Sequence, residues 1–411
     1  MLLGSRHLGL KIRTDLEIQP INYRGQKALL IADRLGLIKK PVVIQGEALE
    51  VLALIDGSRE AEDIQLEFLR RKGYSLTGTS LVSQILDEFK KLWLLDTPEF
   101  QERREALVRE FSDLPLRKAA LAGEVYPEDP QELKQFLDQI IKQKELPLEI
   151  KSCLAASRKP KVLIAPHIDL RSGQQLYSLA YRCLEGSSYD RVVVMGTGHS
   201  PETGLMSLTE KDFATPLGTV ITDKDAVKKL KKAAYDLATP HDLAHQQEHS
   251  LEFQLLFLQH LLGNEFRLIP ILFGSFQPWL QKVNRASAIP GFVSFLNQLR
   301  DLASVPDTLI IAGVDLSHIG PKFGHQKTAS ELKEATVAFD HDILEALLDL
   351  DAENFWKLHQ EANDNSNVCG FPVLAVLLEI IKAEKGYLLG YDLASEEATQ
   401  SAVSFTAAVF F

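Results

Sequence analysis

The chain has 411 residues, more than one hydrophobic core ordinarily serves, so two domains are expected. Apolar residues make up 45% and charged residues 25%, the balance of a soluble globular protein, and the formal net charge of −11 argues against a general nucleic-acid binder, which needs a basic face for phosphates. No apolar run is long enough to span a bilayer, and three cysteines without a C-x-x-C pair rule out zinc-finger and thioredoxin-type sites and fit a reducing, cytoplasmic location.

Residues 1–14 carry basic groups but no sustained apolar stretch ahead of a small-residue cleavage site, so no signal peptide is expected. Residues 1–100 read as one small accessory domain. Residues 42–44 suit a short strand, and 48–55 a helix stopped by Asp56-Gly57. A second helix is expected over 61–71 and a third over 80–92, where Leu81, Ile85, Phe89 and Leu92 fall at helical spacing. Trp93-Leu94-Leu95 would follow as a wing strand, giving a winged-helix-like arrangement. Residues 101–117 read as a helical linker, and 131–144 as a further helix.

From residue 118 to 411 an α/β domain is expected, and from Val162 the texture changes. Unbroken apolar runs at 162–165, 192–195, 268–273 and 309–312 alternate with helical stretches, the pattern of strands covered on both faces. A mostly parallel central sheet flanked by helices follows. Three of these strands end in chemically capable residues: His167, His199, and Asp315 with His318. Ligands of open parallel sheets gather at the carboxyl ends of strands, so this edge is the expected site. Glu248 and His249 open a helix over 249–262, with Glu252 one turn on; initial-turn acidity is also what the helix dipole favours. Cys369 stands just before an apolar helix over 373–382, where the dipole favours thiolate, although a free cysteine is as readily a small buried hydrophobe.

Ala165-Pro166-His167, Gly196-Thr197-Gly198-His199, Glu248-His249-Ser250-Leu251-Glu252, Val314-Asp315-Leu316-Ser317-His318 and Val368-Cys369-Gly370 together resemble the Memo family, component B of the AmmeMemoRadiSam system in bacteria and archaea. Ala122-Gly123-Glu124-Val125-Tyr126-Pro127 and the closing segment 400–405 complete the match in family order. The resemblance implies a fold akin to class III extradiol dioxygenases, non-haem iron enzymes with two His and one Glu as ligands, a Cys replacing the Glu in the Memo family. It implies His167, His199 and Cys369 as metal ligands, His318 as acid/base with Asp315 beside it, and Glu248 and His249 lining the cleft. Iron(II) is the expected ion, with copper or zinc also suited to two imidazoles and a thiolate. The residues after His167 depart from the family pattern, which makes Asp169 and Arg171 candidate substrate contacts or partners of each other.

The function so implied is a metal-dependent redox enzyme acting on a peptide or aromatic substrate beside a radical-SAM protein and component A of the same system. The alternative is a ligand- or peptide-binding protein that uses the same cleft without turnover. The first domain resembles PqqD-like peptide-recognition domains through Leu54-Ile55-Asp56-Gly57-Ser58 and Leu92-Trp93-Leu94-Leu95-Asp96, which implies a peptide added at a sheet edge. A rival pattern is His245-Gln246-Gln247-Glu248-His249, the H-x-x-E-H of an inverted zinc metallopeptidase, which needs His245 and His249 on one helix face.

Overall fold

The computed structural model describes residues 9–73, 77–383 and 386–411, so the first eight residues of the amino-terminal stretch lie outside it. The chain forms two compact units, one reaching to Glu110 and one spanning Phe111–Phe411. No helix among the described residues is long and apolar enough to cross a membrane.

The first unit opens with a hairpin of β1 (Leu16–Tyr23) and β2 (Gln26–Asp33). Its turn, Arg24-Gly25, has φ of 52° and 80°, the left-handed geometry that matches strand twist in a two-residue loop. Strand β3 (Val42–Gln45) pairs with the other edge of β2. Helices α1 (Gly46–Leu52), α2 (Ala61–Lys72), α3 (Thr77–Lys91) and α4 (Pro98–Ser112) follow. Gly73 ends α2 in the left-handed conformation. Residues 93–95 form no strand: Trp93 has φ 56°, and Leu95 makes a single bridge to Ile12. In place of the expected wing, the Trp93 carbonyl takes a hydrogen bond from buried Arg13, which also pairs with Asp15 and Asp33.

The second unit begins with β4 (Leu116–Arg117), α5 (Pro130–Ile141) and α6 (Leu148–Ala155). The α/β core then runs β5 (Val162–Ala165), α7 (Gln174–Arg182), β6 (Arg191–Thr197), β7 (Met206–Leu208), β8 (Asp212–Thr215), β9 (Gly218–Val220), α8 (Lys224–Ala234), α9 (His249–Leu262) and β10 (Arg267–Phe273). It continues through α10 (Gln277–Leu280), α11 (Phe292–Ala303), β11 (Thr308–Gly313), β12 (Asp315–Ile319), α12 (Ala329–Leu348), α13 (Ala352–Ala362) and α14 (Phe371–Ile380), and closes with β13 (Gly386–Glu396) and β14 (Ser401–Phe410).

The large sheet is mixed, in the order β12-β14-β5-β11-β6-β10-β7, with β13 on β14. Only β5, β11, β6 and β10 are mutually parallel; β7, β14, β12 and β13 are antiparallel to their neighbours. The parallel expectation therefore holds for the centre and fails at both flanks. The carboxyl-terminal strand folds back along β5, and its alternating pattern gives no sign of direction. Side chains alternate across the sheet: Ile164, Val193, Ile271 and Ile310 enter one core with α11 and α14, while Leu163, Val194, Leu272 and Ile311 enter the other with α5, α7 and α9. Each buried aliphatic side chain contributes about 1.5–3 kcal/mol, so the sheet is a rigid platform for what its strand ends carry.

His359 of α13 lies in the first of these cores, its ring stacked on Phe371 at 4.2 Å and near Phe355 at 4.6 Å. Its Nδ1 donates to the Phe355 carbonyl, and Nε2 is buried with no partner. Burial pushes its pKa down to about 4. The unfolded imidazole takes a proton near 6.5, so stability rises with pH between 4 and 6.5 and is lost on acidification through that window. Replacing His359 with Phe is expected to flatten the acid-side fall in Tm, removing up to ~3 kcal/mol of pH dependence; an unchanged decline would contradict this.

Candidate metal centre

The sheet order brings the predicted strand ends together. β11 lies between β5 and β6, so His167 after β5, Asp315 after β11 and His199 after β6 share one edge. Two helices reach the same edge from opposite faces: α9 from one core and α14 from the other. Glu248 and His249 arrive with α9, and Cys369 with the turn that opens α14.

Ring nitrogens of His167, His199 and His249 all lie within 4.8 Å of one another. The His167 ring meets those of His199 and His249 edge-on at 5.0 and 5.3 Å, and His199 stacks on His249 at 4.8 Å. Two rings have their outer nitrogens fixed by groups that can only accept. The Gly313 carbonyl takes Nδ1–H of His167 at 3.0 Å, and the Glu248 carboxylate takes Nδ1–H of His199 at 3.0 Å. The Nε2 atoms of both are thereby left toward the centre, the arrangement of metal-bound histidines. The sequence placed His249 only as a cleft residue; the structure puts it in the donor group.

Helix α9 holds the strand ends with its polar positions. Glu248 is its N-cap, accepting from Ser250 N, and also accepts from the His199 backbone N at 2.9 Å. Ser250 Oγ donates to the Thr197 carbonyl and Gln254 Nε2 to the Pro166 carbonyl, just before His199 and His167. Ser250 and Gln254 are four apart on one face of a mostly buried helix, a sequence signal of a polar stripe that has a partner. The Glu248 carbonyl is itself held by Arg117 Nη2, while Arg117 Nη1 pairs with buried Glu252. Glu252 also accepts from Tyr126 Oη and from the backbone N of Ala120 and Leu121.

Asp315 and His318 both belong to β12, three positions apart, so plain alternation would send them to opposite faces. A bulge corrects this: three steps from Asp315 to His318 oppose two from Phe405 to Val403 on β14. Ser404 Oγ accepts from the backbone N of Ser317 inside the bulge, and buried Asp340 accepts from both the Ser317 and Ser404 hydroxyls, at 2.6 and 2.5 Å, and from Tyr391. Asp315 accepts from the His167 backbone N at 3.0 Å and sets its other oxygen 3.6 Å from His167 Nε2. His318 donates Nδ1–H to the Leu316 carbonyl, leaving Nε2 free to exchange a proton.

Cys369 places its sulfur 3.5 Å from His167 Nε2. The following Gly370 docks on Asp315, where any Cβ would fall 2.5 Å from the Asp315 carbonyl oxygen, so only glycine lets this turn approach. Burial opposes a thiolate here, but His167 and His318 outweigh it and hold the Cys369 pKa well below the ordinary thiol range. Burial likewise opposes imidazolium at His167, yet Asp315 and Cys369 raise its pKa to about 10. Glu248 is held well below the usual carboxylate range against its burial by His199 and His249. The Cys369 sulfur and the Glu248 carboxylate, both held toward the anion, thus converge on three imidazoles beside Asp315, whose own pKa burial raises, and the centre favours positive charge. Two or three imidazole nitrogens with one thiolate are a donor set that fits iron(II), copper or zinc.

Other predicted residues stand apart. Asp169 and Arg171 are both exposed; Asp169 caps a turn by accepting from the backbone N of Arg171 and Ser172, and this backbone contact is the pairing the two residues make. His245 does not share a helix with His249. It ends a short 3₁₀ turn, Leu243–His245, and Glu248 starts the α-helix three residues later. Its ring is buried against Phe213 and held neutral by that burial, with a pKa of about 4. The geometry required of an H-x-x-E-H zinc helix is therefore not formed.

Removing one partner from the buried Arg117–Glu252 pair leaves an unpaired buried charge. Arg117→Met is expected to lower stability by about 3–5 kcal/mol, measured by urea unfolding. Glu248→Gln keeps the shape but weakens the hold on His199, and is expected to lower metal affinity about 10–100-fold. A Glu248→Gln variant with unaltered affinity in metal titrations would contradict that role.

Comparison with known proteins places residues 117–409 in the family described as Memo-like protein. A MEMO1 family protein of Aquifex aeolicus is 29% identical over 405 residues, covering 96% of this chain and 98% of its own. A MEMO1 family protein of Thermus thermophilus is 29% identical over 355 residues, covering 84% and 97%. One from Pyrococcus abyssi is 28% identical over 313 residues, covering 72% of this chain and 99% of its own. With the match extending over all of the strand ends, helix starts and bulge just described, the chain belongs to the Memo-like family.

Proposed function

We propose that the chain holds one first-row transition-metal ion, iron(II) foremost, on His167, His199 and Cys369, with His249 in reach as a further donor, and works as a metal-dependent redox enzyme. One observation carries this: the outer nitrogens of His167 and His199 are pinned to acceptors, so their Nε2 atoms face a common centre beside the Cys369 sulfur. When bound, such an ion supplies Lewis acidity and one-electron chemistry at positions left open by the protein. The chain's own residues supply the rest. Asp315 orients His167, Glu248 orients His199, and His318 offers Nε2 to receive or return a substrate proton.

The placement of these groups at the carboxyl edge of the parallel strands is consistent with a cleft akin to class III extradiol dioxygenases. We extend the proposal to partners as well: a peptide or aromatic substrate handed over with a radical-SAM protein and component A of the AmmeMemoRadiSam system, and a PqqD-like role for the first unit in peptide capture. Pull-down of the radical-SAM partner by the full chain, but not by a chain lacking residues 1–110, is the expected result; equal recovery would count against that role.

Anaerobically purified protein is expected to carry stoichiometric metal. His199→Ala and Cys369→Ala should each reduce it at least about tenfold, while His245→Ala should leave it unchanged. Full occupancy in both ligand variants, read by elemental analysis, would sink the assignment, and loss of metal in His245→Ala would revive the peptidase reading.

A further inference from the structure

A cavity of about 450 Å³ opens at the amino edge of the parallel strands, the edge opposite the imidazole cluster. Arg158, Lys159, Lys161 and Lys382 line it, with Ala383 and Phe411. Topology gathers them: β5 starts here, antiparallel β14 ends here, and α14 has run back from Phe371 at the carboxyl edge. The volume is within the range of small-molecule pockets.

Four cations around one cavity stand out on a chain whose net charge is −11. Lys159 has a counter-ion, since its ammonium pairs with Asp307 and sits over the Tyr189 ring at 4.2 Å. Arg158, Lys161 and Lys382 are exposed and have no carboxylate partner among the described residues. The carboxyl ends of α6 and α14 offer about half a negative charge each, more diffuse than a counter-ion. A larger cavity of about 810 Å³ around Lys211, Lys224 and Lys231 differs in kind, because those lysines already pair with Asp242, Asp212 and Glu210.

The cations hang from a fixed backbone. Lys161 N donates to the Phe410 carbonyl at 2.8 Å, and the Lys161 carbonyl accepts from Ile310 N at 2.9 Å, so two strands hold this residue. Pro160 stiffens the link before it, and its carbonyl accepts from the Tyr189 hydroxyl at 2.8 Å. The Arg158 guanidinium lies over the ring of buried Phe411 at 5.3 Å. An anion arriving here meets charges already gathered, which lowers the cost of ordering them.

Charge and shape decide which anion fits. Three unpaired cations call for a compact group of charge two or more, and a guanidinium beside two ammoniums suits phosphoryl oxygens. A long polyanion is disfavoured, because beyond a Debye length of about 8 Å it meets the acidic remainder of the chain. We propose that this cavity binds a small phosphorylated molecule through its phosphoryl group, held by Arg158, Lys161 and Lys382. The site is separate from the metal centre and does not rest on the function proposed above.

The test is calorimetric titration of the full chain with pyrophosphate. Pyrophosphate should bind at least about tenfold more tightly than sulfate. Lys161→Gln and Lys382→Gln should each weaken it about fivefold, and together about twentyfold, while Lys161→Arg should keep the wild-type affinity. Metal content should be the same in all of these variants. Four results overturn the proposal: no binding of pyrophosphate, binding that ignores both glutamine substitutions as binding at a metal ion would, a Lys161→Arg variant as weak as Lys161→Gln, or tighter binding of a short oligothymidylate or of phosphatidic acid vesicles than of pyrophosphate.

Discussion

One buried carboxylate organises the site. Glu248 caps α9, holds both the backbone and the ring of His199, and lies 3.3 Å from the ring of His249. A carboxylate so deeply buried remains ionised only when cationic or hydrogen-bond donor groups surround it, and here the imidazoles and a helix start supply them. Its backbone is tied in turn to Arg117, whose other arm is fixed by Glu252 one turn along the same helix. The segment matched to the family begins at residue 117, the arginine that completes this network. Polar order thus runs from that strand through the start of α9 to the imidazole cluster.

The strand ends were legible because continuous apolar runs followed by His or Asp are a local signal, and the sheet then aligned them. What arrives across the sheet was not legible. His249 joins the imidazole group only because α9 packs with its first turn at the carboxyl edge, a fact of tertiary packing. The bulge that turns Asp315 and His318 to one side depends on Ser404 and Asp340, far away in sequence, and no spacing within 315–318 announces it. In the first unit, the hairpin β1–β2 escaped because its strands are half exposed and carry Pro20, which weakens both periodicity and propensity. His245 misled in the opposite direction: the pattern ignored the break between its 3₁₀ turn and the helix begun by Glu248.

The two faces of the sheet have separate parts in the site. The α9 face brings carboxylate and imidazole, hard and borderline groups held by hydrogen bonds. The α14 face brings a single sulfur, steered by Gly370 onto Asp315 and by Thr197, whose hydroxyl donates to the Cys369 carbonyl. Between them the centre is half open to solvent at His199, His249 and Cys369 and closed at His167. That asymmetry makes the buried His167 imidazole the fixed point of the cluster. The relative from Aquifex aeolicus covers both units of the chain, whereas the one from Pyrococcus abyssi covers 72% of it. The family match, residues 117–409, falls within the second unit.

X-ray absorption at the metal edge of the anaerobically loaded chain tests the central claim most directly. Convergence of His167, His199 and Cys369 on one ion predicts imidazole nitrogens at about 2.0–2.1 Å and one sulfur at about 2.3 Å. A coordination shell of light atoms with neither sulfur nor imidazole scattering would contradict it.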